Sequence, residues 1–447
     1  MMKNPIWTPS EQRIRNANMT RFMEYVNRTH GKQFRAYDEL YGWSIDNIPD
    51  FWACMWEFAG IIASHGYDTV VDDLGKMPGA GWFVGAKLNF AENLLRYRDE
   101  RIALIFKGEH TAAITMTYAG LCDQVGRLVR SLHGAGVEKG DRVAGFMPNI
   151  PETVVAMLAT ASIGAIWSSC SPDFGFKGVL DRFGQIEPKV LFTADGYSYN
   201  GKRFDSLERI RSVVAELPSL RHLVVVPCLE RQPSVEPIPN AVLYGDFLSA
   251  AGGLSIDFEQ VSFDHPLYIM YSSGTTGPPK CLVQSVGGIL INQLKELQLH
   301  TDVKREDTIF YYTTCGWMMW NWLVSSLALG AKLVLYDSAP FYPSPGVLWK
   351  LTRDLGITIF GTSARYLAAL EKEGVRPGME YDLSPLRSIL STGSPLSVES
   401  FQYVYREIKQ DVQLASISGG RTSTAASHWG IRLVPSMPGN SSAGDLG

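Results

Sequence analysis

From about residue 100 to residue 417, short apolar runs alternate with helix-length segments, and this limits the chain to helix-covered sheets whose strands run parallel. Val143 to Phe146 reads as a strand, followed by an apolar helix from Pro151 to about Ile163. Val190 to Phe192 precedes a helix near Ser206 to Glu216, and Leu223 to Val226 is a further strand. A proline-bearing connection covers about 229–240. The alternation then resumes with a helix at about 287–299, a strand at 309–312, a helix at 320–329 and a strand at 332–336. Further elements fall near 347–360, 365–372, 386–391, 397–409 and 413–417. The expected fold class is α/β, with stacked βαβ subdomains. At 447 residues the chain exceeds one ordinary core, so two or more subdomains are expected. The first 95 residues are different: Trp43, Phe51, Trp52, Trp56, Trp82 and Phe83 crowd this stretch, and residues 50–62 space their large apolar groups as a helix packed on a core does.

Charge and cysteine usage narrow the class. A formal net charge of −4 leaves no basic face for nucleic acid or an anionic membrane. No apolar run reaches the length of a membrane span, and the first residues lack a signal-type apolar stretch. Cys54, Cys122, Cys170, Cys228, Cys281 and Cys315 are dispersed without a Cys-x-x-Cys pair, as reduced thiols in a cytoplasmic protein are. Oligomeric state is not legible.

Residues 271–280 read Tyr-Ser-Ser-Gly-Thr-Thr-Gly-Pro-Pro-Lys, directly after the apolar run Leu267 to Met270. Gly274 and Gly277 let the backbone approach a ligand where a Cβ would collide. Ser272, Ser273, Thr275 and Thr276 add hydroxyls, and Lys280 adds a positive charge. This is a phosphate cradle, though not the Walker type, because Cys281 rather than Ser or Thr follows the lysine. A polar surface turn is the plainer alternative, and turns rarely carry so many hydroxyls before a terminal lysine. Glu152, Asp181 and Arg182 carry charge, but nothing in the sequence sets them apart from solvated helix residues.

The cradle resembles the phosphate loop of the adenylate-forming superfamily. Trp82 to Leu95 is similar to the N-terminal signature of that superfamily's acetyl-CoA synthetase branch. Within the branch, Ser162 to Gly175, Gly316 to Trp322 and Leu390 to Leu396 most resemble the acetoacetyl-CoA synthetases. The resemblance implies an N-terminal cap segment at 1–95 and an incomplete AMP-binding domain at 96–420. It implies ATP, Mg²⁺ and coenzyme A as co-substrates and acetoacetate as the acid. A carboxylate is a poor electrophile; its oxygen first attacks the α-phosphorus of ATP, and the thiol of coenzyme A then displaces AMP from the acyl-adenylate. By resemblance, Ser273 to Lys280 meet the β- and γ-phosphates, and Gly393, Ser394 and Pro395 form the turn against which adenine stacks. Trp317, Met318 and Met319 fall where the branch shapes its acyl pocket, although such clusters are commonly core. The donor for a keto oxygen is not legible. A ligase for another short acid and a non-catalytic nucleotide-binding remnant remain open alternatives.

The resemblance stops at Gly420. The family pattern continues with Thr-Asp or Thr-Glu, whose acid helps hold Mg²⁺, where this chain reads Arg421-Thr422-Ser423-Thr424. Removing one nucleotide from the second glycine codon of a Gly-Gly-Thr-Asp-Leu-His text reproduces this reading, and shifting the tail back restores a family-like continuation. A single-nucleotide frameshift is therefore expected, with 421–447 a non-homologous, disordered tail. On that reading the expected Mg²⁺ ligand, the ribose aspartate and the small C-terminal domain with the family's catalytic lysine are absent. Little acid-dependent ATP–pyrophosphate exchange is then expected of the chain as written.

Overall fold

The computed structural model describes residues 5–250, 255–272, 277–419 and 426–427. From residue 102, two seven-stranded sheets form. Their strands, in chain order, are β1 (Ile102–Gly108), β2 (Ile114–Thr117), β3 (Arg142–Phe146), β4 (Ile166–Cys170), β5 (Val190–Ala194), β6 (His222–Val226) and β7 (Ala241–Leu243). Then come β8 (Pro266–Ser272), β9 (Lys280–Ser285), β10 (Thr308–Tyr311), β11 (Lys332–Asp337), β12 (Ile359–Ser363), β13 (Ser388–Thr392) and β14 (Gln413–Ser416).

One sheet has the order β7-β6-β5-β3-β4-β8-β9 and the other β14-β13-β12-β10-β11-β1-β2. All pairings are parallel except at one edge of each sheet, where β8 pairs antiparallel with β9 and β1 with β2. The expected parallel, helix-covered sheets are thus present, each with one antiparallel strand added at its edge. Both exceptions join chain neighbours through short connections, which antiparallel strands permit and parallel strands do not. The expected elements otherwise stand where the alternation puts them. The segment 50–62 is a helix at Ile48–Ala59, stopped by Gly60 in the left-handed conformation.

Residues of the first 95 do not form a core of their own. Phe22, Phe51, Trp56, Phe83 and Leu94 belong to one buried cluster with Val143, Trp167, Tyr268, Leu290 and Trp320. The N-terminal segment thus packs on residues of both sheets and their helices and shares their burial. Two further clusters lie in the second sheet with its helices and around β3, β5 and β6.

Asn149, just after β3, ties the sheets together. Its backbone N–H donates to the Asp337 carboxylate at the end of β11 (3.1 Å), and its Oδ1 accepts from Trp320 Nε1 at 2.9 Å. Burial pushes the Asp337 carboxyl up to about 6, with Glu109 and Asp173 nearby adding to the rise. The folded state therefore prefers Asp337 protonated, and the unfolded chain releases its proton first as pH rises. Stability should fall between about pH 4 and pH 6 from this group and level off above. Asp337→Asn is expected to raise urea stability above pH 6.5 by on the order of 3 kcal/mol, since each tenfold difference in proton affinity between the folded and unfolded chain is worth about 1.4 kcal/mol. The gain should vanish near pH 4. A gain that is equal at both pH values would show that charge burial is not its cause.

Candidate active site

In parallel α/β sheets, ligands sit beyond the carboxyl ends of the strands, where the loops are free to take ligand-specific shapes. The segments singled out from the sequence follow strands in this way: 273–279 follows β8, 312–317 follows β10 and 393–397 follows β13.

The cradle is the connection between the antiparallel pair β8 and β9. Ser272 and Lys280 face each other in register, so the loop leaves and re-enters the sheet at one point. Residues Ser273, Gly274, Thr275 and Thr276 lie outside the described residues. Gly277 has φ +107°, a region that a side chain makes strained. Gln185 Nε2 donates to the Pro279 carbonyl at 2.9 Å and so fixes the exit of the loop from the helix Phe176–Ile186. Lys280 is exposed, and no acid among the described residues pairs with it. Just before the loop, Ser168 Oγ lies 2.9 Å from the Tyr271 hydroxyl, and burial drives that phenol far above its ordinary range. Arg182, which the sequence presents as a surface charge, proves buried: its guanidinium stands 4.5 Å from the Phe174 ring and 5.6 Å from the Tyr271 ring. Nothing in its local sequence signals this, since the ring partners come from two other segments.

The turn after β13 presents Gly393, Ser394 and Pro395 to solvent, with Gly393 at φ +94°. Thr392 Oγ1 donates to the Ile417 carbonyl at 2.9 Å, and Ile417 N–H donates to Ser391 O at 2.8 Å. The turn is thereby braced by the strand end beside it. Ser394-Pro395 does not open the next helix. Ser397 caps Val398–Tyr403 by accepting from Ser400 N–H, so Gly393, Ser394 and Pro395 stay exposed ahead of the helix while Leu396 is buried.

The three acyl-pocket candidates divide. Trp317 caps the helix Met318–Ser325 and is 53% exposed, whereas Met318 and Met319 are buried in the main core. The preceding loop runs close to the end of β4: Ser169 Oγ donates to Cys315 O at 2.7 Å, and a Cβ on Gly316 would lie 3.3 Å from Ser171 N. A cavity of about 10 Å³ opens there between Trp167, Met270, Gly316 and Asn321. A much larger cavity, about 830 Å³, lies at the opposite end of β9 from Lys280, lined by Trp52, Trp82, Lys87, Asp264, Gln284 and Asn292. It adjoins no strand end of the cradle, so its size alone does not make it the reaction site.

No three His, Cys, Asp or Glu side chains among the described residues converge to hold a metal. The departures at Arg421–Thr424, the frame change and most of the tail fall outside the described residues; Ala426–Ser427 pairs antiparallel with Ser418–Gly419. No helix among the described residues is long and apolar enough to cross a membrane.

Two largely parallel, helix-covered sheets with loops beyond the carboxyl ends of their strands are an architecture that nucleotide-using α/β enzymes share. The chain belongs to the AMP-binding enzyme family, whose pattern matches residues 90–440, and within it to the acetoacetyl-CoA synthetases. Residues 37–94 match the acetyl-coenzyme A synthetase N-terminus. The chain is 46% identical to the acetoacetyl-CoA synthetase of Gallus gallus, with all of this chain and 68% of that protein covered. It is 40% identical to the malonamoyl-CoA synthetase vrtB of Penicillium aethiopicum, over 91% of this chain and 60% of that protein. Acetoacetyl-CoA synthetase from Streptomyces lividans superposes with a TM-score of 0.94 at 42% identity, covering 99% of this chain and 69% of that one.

Proposed function

We propose that the chain carries the site at which its family activates a short acid bearing a carbonyl at C3, acetoacetate first, as the adenylate for transfer to coenzyme A; it binds the nucleotide and the acid there, and turnover needs the segments expected to be missing after Gly420. The single observation that carries this reading is the placement of the β8–β9 loop and the Gly393–Pro395 turn at strand ends in a chain related throughout its length to acetoacetyl-CoA synthetases. The malonamoyl group named for a second relative also carries a carbonyl at C3, which favours this acid class over simple fatty acids.

In the proposed reaction the acid's carboxylate oxygen attacks the α-phosphorus, the bond to pyrophosphate breaks, and coenzyme A's thiolate later displaces AMP from the acyl carbon. The segment Ser272–Lys280 receives the β- and γ-phosphates, with Lys280 offsetting charge on the departing pyrophosphate. Gly393, Ser394 and Pro395 receive the adenine face. Mg²⁺ arrives with ATP. A cytoplasmic setting fits the six free thiols, four of them buried.

Calorimetric titration with a stable acetoacetyl-sulfamoyl adenosine tests the reading. It should bind at one site at least about tenfold tighter than AMP, because an intermediate mimic collects contacts that neither half has alone. Equal affinity for the mimic and AMP would mean that the acyl group is not recognised.

A further inference from the structure

Two residues that each carry an unpartnered buried polar atom line one small space in the main core. Trp167, on β4, is 1% exposed, and its Nε1–H meets no acceptor among the described residues. Asn321, on the helix Met318–Ser325, is 4% exposed, and its Oδ1 meets no donor among them. The Asn321 Nδ2 group reaches only the Met270 thioether, at 4.0 Å. A buried polar group left unpaired costs on the order of 1–3 kcal/mol, and native proteins tolerate few of them. Here two line the same cavity of about 10 Å³, together with Ser169, Tyr268, Met270 and Gly316.

The other polar groups of that lining are already engaged. Ser169 Oγ donates to Cys315 O, and the Tyr268 hydroxyl accepts from Gln293 Nε2 at 3.4 Å. The volume suits a single oxygen-sized atom. Its place matters as much as its size. Met270 is two residues before Ser272, about 7 Å along the strand that enters the cradle. Gly316 directly precedes Trp317. The cavity thus lies between the strand that enters the cradle and the segment proposed to shape the acyl pocket.

We infer that Trp167 and Asn321 form the specificity subsite that receives the C3 carbonyl oxygen of the acyl group. Trp167 Nε1–H donates to that oxygen, and half a turn of the Asn321 carboxamide aims its NH₂ at the same point. An acyl chain that lacks the carbonyl leaves both donors buried without partners. Sites built around such donors reject the analogue that lacks the matching group far more strongly than apolar pockets reject a missing methylene. The inference rests on the acyl-activation reading above and adds the residues that choose the acid.

The test compares acetoacetyl- and butyryl-sulfamoyl adenosine by calorimetry on the 447-residue chain. The unaltered protein should prefer the acetoacetyl compound by roughly thirtyfold or more. Trp167→Phe keeps an aromatic ring and removes the N–H; it should cut that preference below roughly threefold while leaving butyryl binding nearly unchanged. Should Trp167→Phe bind neither compound, Asn321→Leu is read for the same fall in ratio. Variants that keep the original preference would overturn the subsite. So would an unaltered protein that binds both compounds equally well, with acyl activation still standing. Binding of neither compound by the unaltered protein would instead remove the activation reading itself.

Discussion

Replacing Lys280 with alanine should weaken ATP binding by roughly ten- to a hundredfold, because a hydrogen bond to a charged group is worth about 1.5–3 kcal/mol. Lys280 opens β9 directly opposite Ser272, so its ammonium stands at the mouth of the cradle whatever the loop between them does. It is exposed and has no acidic partner among the described residues, so its loss should leave the fold intact. AMP lacks the β- and γ-phosphates, and its binding should change by less than about threefold for that reason. Titrating the variant with ATP and with AMP checks both halves. Equal losses for the two nucleotides would place Lys280 elsewhere than at the terminal phosphates.

The second large effect is structural. Asp195, just after β5, is buried, and its carboxylate accepts from the backbone N–H groups of Cys228, Leu229 and Glu230 at 2.7 to 3.1 Å. These bonds hold the chain as it leaves β6. Asp195→Ala strands three donors in partly buried surroundings at about 1–3 kcal/mol each, less whatever the loop recovers by shifting toward water. A loss of about 3–5 kcal/mol in urea denaturation is expected, in line with breaking other buried charged networks. Asp195→Asn keeps an acceptor oxygen and should lose less than half as much. If the two variants are equally stable, the carboxylate is not what holds this loop.

The alternation of apolar runs made most of the two sheets legible, because parallel strands buried on both faces carry little else. It could not reveal the antiparallel edges: β9, Lys-Cys-Leu-Val-Gln-Ser, is only partly buried and carries no long apolar run, and the short connection through the cradle reverses it. The helix at Met318–Ser325 is buried throughout, its polar residues Asn321 and Ser325 included, so its periodicity gave no hint that Trp317 caps it from outside while Met318 and Met319 turn inward. Asp195 and Arg182 escaped notice for a shared reason. Their partners lie on other segments, and an isolated charge after a strand or within a helix looks the same whether solvated or enclosed. Trp167 was legible only as part of a resembling stretch; its unpaired N–H exists because β4, β8 and the helix Met318–Ser325 converge on it. The cradle itself was readable from composition, since the combination of glycines, hydroxyls and a closing lysine is local.

The phosphate, adenine and acyl assignments all depend on where the nucleotide sits. A crystal structure of this chain with a non-hydrolysable ATP analogue measures it directly. Adenine should lie against Gly393, Ser394 and Pro395, with the terminal phosphates between Ser272 and Lys280. An analogue found in the 830 Å³ cavity at Trp82 and Gln284, with the strand ends empty, would contradict it.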